Sequence, residues 1–451
     1  MPDTNRVRAL ESLYGADPVR RRRSRRGWAG AAAALVLASS LAACGSSDGG
    51  TPVLTWYINP DSGGQDEIAS RCTEQAGGAY RIETSQLPRE SNAQREQLVR
   101  RLAANDSSID LMSLDPPFIP EFAEAGFLAE VPADVAERVT ADAVESSIAG
   151  STWNDQLVAV PFWANTQLLW YRKSVAEAAG LDMEQPVTWD QLVDAAESQD
   201  KRLGAQGIRA EALTVWLNAL VESAGGSIIE EITQDPGDYQ LGLESDAGNR
   251  AAEVMNRVAN SPAVGAAFDT ANEDAAANGF ESEDGGFMVN WPYVWPRANT
   301  AVEGGTLDAS VPEDYGWTVY PRVDADKESA PPYGGINLGI GAFAEDTGLA
   351  FEAAECIVSV ENQAYYFTTN GNPASSKAVY DDPEVLEVFP MAPAIRESLD
   401  QAAPRPLTPY YSEVSVSLQR TYHPTGSVEP GVTGSEATEL ILAVLRKEKL
   451  L

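Results

Sequence analysis

Short apolar runs alternate with longer amphipathic segments along the chain from residue 53 onward. The apolar runs are rich in Val, Ile, Leu and aromatic residues and predict strands, whereas the apolar spacing of three and four predicts helices. Strands are predicted at 53–58, 109–114, 157–160, 168–171, 287–290, 317–320 and 337–343. Helices are predicted at 92–104 with Ser91 or Asn92 as cap, 121–125, 188–203, 213–224, 247–259, 351–368 and 436–447. The predicted helix 188–203 begins with Thr188-Trp189-Asp190-Gln191, a sequence that is typical of a capping box.

This alternation predicts an α/β fold with parallel sheets covered on both faces. The chain has 451 residues, enough for two such sheets and therefore for two lobes with a cleft between them. Ligands of open α/β sheets bind beyond the carboxyl ends of strands. Residues that directly follow strands are therefore the candidates for a site.

The first 43 residues have the three parts of a secretory signal. Arginines at 20–23, 25 and 26 precede an apolar run at 28–41, which ends in Leu41-Ala42-Ala43-Cys44. The run has 14 residues, short of the ~20 that a membrane-spanning helix needs. The Leu-Ala-Ala-Cys ending resembles a bacterial lipobox, which predicts signal removal at 1–43, a lipid on Cys44 and a polar tether over 44–50. The alternative is an ordinary secretory signal with an incidental cysteine.

Charge and cysteine usage narrow the class further. The formal net charge of −35 disfavours nucleic acid, anionic membrane surfaces and anionic ligands. With Cys44 lipidated in an oxidising compartment, Cys72 and Cys356 remain as a pair that predicts a disulfide, the alternative being two buried thiols. The single histidine, His423, argues against zinc sites and His-dependent catalysis, so neither a metal nor another cofactor is predicted.

Polar and aromatic residues cluster just after the predicted strands, with Arg405 held between Pro404 and Pro406. The full set is Asp61, Asp115, Asn165, Trp291, Tyr293, Gly334, Gly335, Asn337 and Arg405. Carboxylates, amides and guanidinium groups pair with the hydroxyls of a sugar, and an aromatic ring packs on its C–H face. Taken singly, each residue is explained by a turn, a cap or the core. Taken together at strand ends, they predict a site for a neutral, hydroxyl-rich ligand.

Several longer segments carry a family resemblance. The segments 157–171 (LVAVPFWANTQLLWY) and 109–128 (IDLMSLDPPFIPEFAEAGFL) resemble the extracellular sugar-binding lipoproteins of ABC importers, the family 1 solute-binding proteins, and most closely their trehalose-binding branch. The likeness extends over nearly all of the chain after the signal. Further matching segments are 87–89, 165–172, 223–227, 289–292, 334–338, 405–406 and 408–409.

The resemblance implies a two-lobed type II periplasmic-binding-protein fold. Lobe 1 is expected at 51–163 plus 334–371, and lobe 2 at 164–333 plus 372–451. Ligand contacts are implied at Asp61, Asp115, Asn165, Glu273, Trp291, Tyr293, Gly335 and Arg405, with Trp163 and Asn337 as additional candidates. Glu273 lies in a segment, 272–286, that departs from the family, and Trp163 replaces a smaller residue there.

The implied function is a monomeric receptor on the outer face of the cell membrane, held there only by its lipid. It is expected to close around a neutral di- or oligosaccharide, trehalose or a trehalose-like glucoside, and to present it to an ABC permease. It is not expected to be an enzyme. The alternatives are a glycoside hydrolase that uses Asp/Glu pairs in the same cleft, and an adhesion protein that uses the fold without transport.

Overall fold

The computed structural model describes residues 50–451, so the signal segment, the lipobox and Cys44 lie outside the described residues. Strands occupy β1 Val53–Ile58, β2 Arg81–Gln86, β3 Leu111–Leu114, β4 Thr152–Trp153, β5 Gln156–Leu157, β6 Val160–Thr166, β7 Leu168–Arg172, β8 Arg202–Gly204, β9 Ile229–Glu231, β10 Gln240–Leu241, β11 Gly285–Asn290, β12 Tyr315–Thr318 and β13 Tyr333–Ile340. Helices occupy α1 Gly64–Gln75, α2 Ser91–Leu102, α3 Ile119–Glu124, α4 Ala133–Thr140, α5 Glu145–Ala149, α6 Lys173–Ala179, α7 Trp189–Ser198, α8 Glu211–Ser223, α9 Asp246–Ala259, α10 Glu273–Glu281, α11 Val294–Glu303, α12 Ser310–Glu313, α13 Thr347–Ile357, α14 Val360–Asn370, α15 Pro383–Val388, α16 Ala392–Gln401, α17 Tyr411–Thr421 and α18 Thr433–Leu445.

Two main sheets organise these elements. The first has five strands in the order β2-β1-β3-β13-β6, and the second has four in the order β12-β7-β11-β8. The chain passes from the first sheet to the second through Gln167 alone, between β6 and β7. It returns between β12 and β13, so two connections between the sheets are strand-to-strand. The predicted α/β architecture with two sheets is present, and both sheets lie within the unit 51–451.

The expectation of purely parallel sheets was wrong. β1 runs parallel to β2 and β3, and β8 runs parallel to β11. β13 is antiparallel to both β3 and β6, and β7 is antiparallel to both β11 and β12. The reason is topological: β6 leads directly into β7 and β13 returns from the other sheet, so neither arrives through the helical crossover that parallel pairing requires.

Several helix boundaries differ from those predicted from the sequence. The expected helix 351–368 is two helices, α13 and α14, because the first ends at Ile357 and the hydroxyl of Ser359 caps the second. The helix expected to run to residue 203 ends at Ser198, since residues 202–204 pair with β11 as a strand. Neither Ser91 nor Asn92 caps α2; Glu90 occupies that position without a side-chain bond. The capping box at Thr188 and Gln191 is confirmed.

Apolar side chains form one core beside each of the two sheets, a third between them and a fourth on the opposite face of the first sheet. Leu54, Trp56 and Phe162 belong to the core of the first sheet, and Trp189 and Trp216 to the core of the second. The third core combines Ala164 of β6 and Tyr333 of β13 with Trp170 of β7, Met288 of β11 and other residues. Packing between the sheets therefore holds their strand ends close together, which is where the candidate site lies.

A disulfide joins Cys72 in α1 to Cys356 in α13. Both helices pack on the first sheet, and the nearby Asn362 of α14 donates to the Cys356 carbonyl at 2.8 Å. The bond thus closes a long loop within one side of the molecule. Within residues 50–451, no helix combines the length and the apolar composition needed to cross a membrane.

Candidate functional site

A cavity of about 370 Å³ lies between the two sheets, at the ends of their strands. Its volume falls in the range of ~300–1,000 Å³ that small-molecule sites occupy. The cavity brings together predicted site residues from distant parts of the chain. Those that line it are Asp115, Trp163, Asn165, Glu273, Trp291, Tyr293, Gly334, Gly335 and Arg405.

Arg405 is the most deeply held polar group of the cavity, with 5% of its side chain exposed. Its Nη2 donates to Asp115 Oδ1 at 2.5 Å and its Nη1 to Asp115 Oδ2 at 3.3 Å, which makes the contact bidentate. Asn218 donates to the Pro404 carbonyl at 3.1 Å and so anchors the neighbouring backbone. Asp115 follows β3, and Pro116 begins a short 3₁₀ turn directly after it. The pair therefore links the first sheet to the segment after α16.

Glu211 lies on the other side of Arg405 and was not predicted from the sequence. Its Oε1 accepts from Arg405 Nη1 at 2.7 Å and also from the Tyr411 hydroxyl, while its Oε2 accepts from the Ser415 hydroxyl at 2.7 Å. Glu211 begins α8, where an acidic residue is commonplace because of the helix dipole. No local signal distinguishes it, and only the packing of α17 against α8 gives it these partners.

Electrostatics at this cluster leave an excess negative charge. Two carboxylates, Asp115 and Glu211, share the single guanidinium of Arg405. Burial raises the pKa of Asp115, while the charge of Arg405 and its hydrogen bonds oppose that shift. The cluster is therefore suited to accept hydrogen bonds and unsuited to an anionic ligand.

Two glycines in β13 allow neighbouring groups to lie close to the strand backbone at the cavity wall. Gly335 in β13 has a φ of +118°, and a Cβ there would lie 2.1 Å from the Trp163 carbonyl oxygen. A Cβ on Gly334 would lie 3.1 Å from Cη2 of Trp291. The glycine pair thus lets the indole of Trp291 approach the strand backbone. Asn165 in β6 pairs with Gly334 across the same ladder.

Trp291 and Tyr293 follow β11 and are oriented by polar contacts. The Asn290 side chain accepts from the Trp291 amide at 2.9 Å and donates to the Glu273 carbonyl at 2.9 Å, which ties the turn to the start of α10. The Tyr293 hydroxyl donates to Asp274 at 3.1 Å. Burial raises the pKa of the Glu273 carboxyl, and the nearby carboxylates of Asp274 and Glu90 raise it further.

Two of the predicted residues do not line the cavity. Both carboxylate oxygens of Asp61 are used within the first sheet's side of the molecule, by the amides of Gly63 and Gln65 and by the Tyr366 hydroxyl. Its neighbours Asn59 and Pro60 are the ones that line the cavity. Asn337 is fully buried and donates to the Gly150 carbonyl at 3.2 Å, so it braces β13 against α5.

Trp163 lines the cavity from β6 and is 9% exposed. Its ring lies 6.4 Å from that of Tyr366, tilted by 58°. Polar residues that sequence reasoning did not select also line the cavity: Asn59, Arg89, Ser91, Gln94, Glu211 and Asn372. Arg89 lies in a segment that carries the family resemblance, whereas the others stand in turns or helix starts where their residue types are ordinary.

A polar and aromatic cavity between two sheets defines the class of protein, a two-lobed binding receptor. Residues 74–364 match the family model of the bacterial extracellular solute-binding proteins. This match spans more than half of the chain, and the chain belongs to that family. The family serves ABC transporters and acts outside the cytoplasm.

Individual relatives agree with this assignment. A probable ABC transporter-binding protein of Deinococcus radiodurans is 23% identical over 396 residues, which cover 83% of this chain and 88% of the relative. The maltose-bound MalE3 of T. maritima is 25% identical with a TM-score of 0.74, covering 88% of this chain and 100% of that one. The GacH receptor of Streptomyces glaucescens, studied with acarbose, has a TM-score of 0.72 at 18% identity, covering 88% and 98%. A Thermotoga lettingae solute-binding protein bound to α-D-tagatose has a TM-score of 0.72 at 22% identity, covering 87% and 100%.

Proposed function

We propose that this protein is the sugar receptor of an ABC importer. It captures a neutral disaccharide, trehalose or a trehalose-like glucoside, in the cavity between the sheets and delivers it to the permease. The observation that carries the proposal is the composition of that cavity, in which carboxylates, two guanidinium groups, amides and three aromatic side chains converge. The maltose, tagatose and acarbose bound by structurally similar receptors support a saccharide ligand.

The chemistry of a sugar fits this composition. Each hydroxyl donates one hydrogen bond and accepts others, so it needs acceptors such as Asp115 beside donors such as Arg405. The indole of Trp291 offers a flat apolar face for the C–H side of a pyranose ring. The excess of carboxylates in the cavity disfavours phosphorylated or carboxylated sugars.

Capture and release are proposed to occur by hinge closure. With Asp115 assigned to lobe 1 and Arg405 to lobe 2, their ion pair would join the two lobes. In this proposal, lobe 1 is 51–163 plus 334–371, lobe 2 is 164–333 plus 372–451, and both turn about the short link at Gln167.

A lipid on Cys44 would hold the receptor next to its permease. Replacing Cys44 with serine should move the protein from the membrane fraction to the soluble fraction of expressing cells.

The proposal is tested by isothermal titration calorimetry against mono- and disaccharides, together with a thermal-shift screen over the same set. We expect one-to-one, sub-millimolar binding of a glucose-containing disaccharide without release of glucose. Trp291→Ala should weaken that binding at least tenfold, since it removes a stacking face. Trp153→Ala is the matched control, because Trp153 bonds to Glu124 away from the cavity. Absence of binding by every saccharide, or equal effects of the two variants, would sink the proposal.

A further inference from the structure

Tyr411 lies at the start of α17 and contacts both sides of the molecule. α17 packs against α8 and α18, and the three helices contribute apolar side chains to the core beside the second sheet. The ring of Tyr411 belongs instead to a core of the first sheet, where it meets Phe118 edge to face with ring centres 5.4 Å apart. Tyr411 is 1% exposed. In the lobe division proposed above, Tyr411 is therefore a residue of lobe 2 whose ring is buried in lobe 1.

The hydroxyl of Tyr411 reaches the ion-pair cluster at the cavity. It donates to Glu211 Oε1, the same oxygen that accepts from Arg405 Nη1. The second oxygen of Glu211 accepts at 2.7 Å from Ser415, one turn further along α17. Hydrogen bonds from α17 therefore fix the carboxylate that holds one side of Arg405.

These carboxylates set the direction of the Arg405 guanidinium. Its five N–H donors lie in one plane, and three of them are used by Asp115 and Glu211. The Nε group has no hydrogen-bond partner among residues 50–451. Because arginine keeps its charge at any relevant pH, Glu211 controls the orientation of the group and not its ionisation. A movement of Glu211 would turn the plane and redirect the N–H donors that the ion pairs leave over.

We propose that Tyr411 is a positioning residue that couples closure of the lobes to the orientation of Arg405. This inference rests on the proposed function, in which Arg405 donates to a sugar hydroxyl. When the lobes approach, the ring of Tyr411 packs on Phe118 and its hydroxyl holds Glu211, which fixes Arg405 toward the ligand. When the lobes separate, the ring loses this apolar contact and the restraint on Arg405 relaxes. Tyr411 does not line the cavity, so it acts on the ligand only through these partners.

The chain offers a matched control for each half of this coupling. Tyr411→Phe removes the hydroxyl and keeps the ring. Tyr422→Phe makes the same change just after the other end of α17, where the hydroxyl is buried and has no partner within the described part of the chain. Phe118→Leu removes the aromatic contact of Tyr411. Phe122→Leu makes the same change in the same core, at a ring that meets Phe127.

The experiment is isothermal titration calorimetry of the full receptor with trehalose or maltose, whichever the wild type binds more tightly, and with the monodeoxy analogues of that sugar. Tyr411→Phe should weaken binding of the parent sugar about tenfold, the effect of losing a hydrogen bond to a charged group. At least one monodeoxy analogue should bind this variant and the wild type within about twofold of each other, because it lacks the hydroxyl that Arg405 reaches.

The other variants complete the test. Phe118→Leu should weaken binding with the same dependence on the sugar hydroxyls as Tyr411→Phe. Tyr422→Phe and Phe122→Leu should bind every sugar within about twofold of the wild type, since neither touches the coupling. Thermal melts confirm that each variant is folded.

The possible outcomes separate this inference from the proposed function. If Tyr411→Phe leaves binding unchanged, or weakens the parent sugar and every analogue equally, the positioning role is wrong while the receptor function stands. Equal effects of Phe118→Leu and Phe122→Leu would refute the coupling to the first lobe. Absence of binding by every saccharide in the wild type would overturn the proposed function and this inference with it.

Discussion

Gly335 adopts a backbone conformation that other residues rarely adopt, and the position that a Cβ would take is already occupied by the backbone of Trp163. At a φ of +118°, a Cβ would lie 2.1 Å from the Trp163 carbonyl oxygen, so the chain must shift to accept any side chain. Gly180 is a useful contrast, because it has a φ of +73° but nothing within 4 Å of its absent Cβ. A comparison of alanine substitutions at the two glycines therefore distinguishes the cost of backbone strain from the cost of a steric collision.

Gly335→Ala should lower the free energy of unfolding by about 2–4 kcal/mol and abolish sugar binding, because β6 and β13 would separate at the cavity wall. Gly180→Ala should cost only about 1 kcal/mol, the strain of a left-handed backbone. Urea unfolding with a thermal-shift assay of ligand binding checks both. Equal costs for the two substitutions would contradict the collision argument.

Glu222 is a second residue with a measurable consequence. Burial raises its pKa to about 7, although a hydrogen bond from Ser227 opposes the shift. Because the folded pKa lies above the unfolded one, the native state binds more protons than the unfolded state between roughly pH 4.5 and 7. The stability contributed by Glu222 is therefore present at low pH and is lost as the pH rises through this window.

Glu222→Gln removes the titration and keeps the shape. The free energy of unfolding of this variant, relative to wild type, should rise by roughly 1–3 kcal/mol between pH 5 and pH 8. Urea titrations of both proteins at the two pH values give the difference. A constant difference would show that Glu222 does not titrate in this range.

At the scale of elements, α8, α17 and the segment around Arg405 depend on one another. Arg405 neutralises carboxylates from two directions, Asp115 after β3 and Glu211 at the start of α8. Tyr411 and Ser415 of α17 complete the partners of Glu211. Removal of the arginine therefore leaves two partly buried carboxylates without their shared counter-charge.

Arg405→Ala should destabilise the fold by about 3–5 kcal/mol, the usual cost of breaking a buried ion pair from one side. Asp115→Ala should cost less, about 1–3 kcal/mol, because Arg405 keeps Glu211 as a partner. Arg396→Ala is the control, since its exposed pair with Asp400 within α16 is worth under about 0.5 kcal/mol. Chemical denaturation of the three variants should reproduce this order, and a larger cost for Asp115→Ala than for Arg405→Ala would refute it.

Some residues of this cluster were predictable from the sequence and others were not. Arg405 and Asp115 could be selected because each follows a strand or stands between prolines, which are local signals. Glu211 could not be selected, because its role exists only after α17 packs on α8. The break between α13 and α14 was also missed, since the apolar pattern continues through Val358 while the cap at Ser359 depends on the turn geometry.

At the scale of the whole molecule, the Cys72–Cys356 disulfide closes a loop with a sequence separation of 284 residues. A cross-link over so long a loop restricts the unfolded chain strongly, with a typical stabilisation of about 2–5 kcal/mol. Neither cysteine lines the cavity. The bond therefore bears on stability and not on the geometry of the site.

Replacing both cysteines with alanine should lower the free energy of unfolding by about 2–5 kcal/mol and leave the affinity for the bound sugar within twofold. Urea unfolding and calorimetric titration measure the two quantities independently. A large loss of affinity in a variant that remains folded would show that α1 and α13 position the site after all.

Local features of this protein were determined by its sequence. The β1 strand has the predicted bounds, and the capping box at Thr188 begins its helix as expected, because hydrophobic period and capping act over a few neighbouring residues. The α/β class followed from the alternation of the two periods. The Cys72–Cys356 pair agrees with the expectation that was reached by assigning Cys44 to a lipid.

Only the tertiary structure decided which strands lie side by side and in which direction. β13 inserts between β3 and β6, more than 160 residues away along the chain, and reverses the expected parallel order. The same packing brings Glu211 to Arg405 and leaves Asn337 and Asp61 outside the cavity wall. Such contacts depend on the burial of whole faces of elements against one another. A short stretch of sequence does not specify which distant face it will pack against.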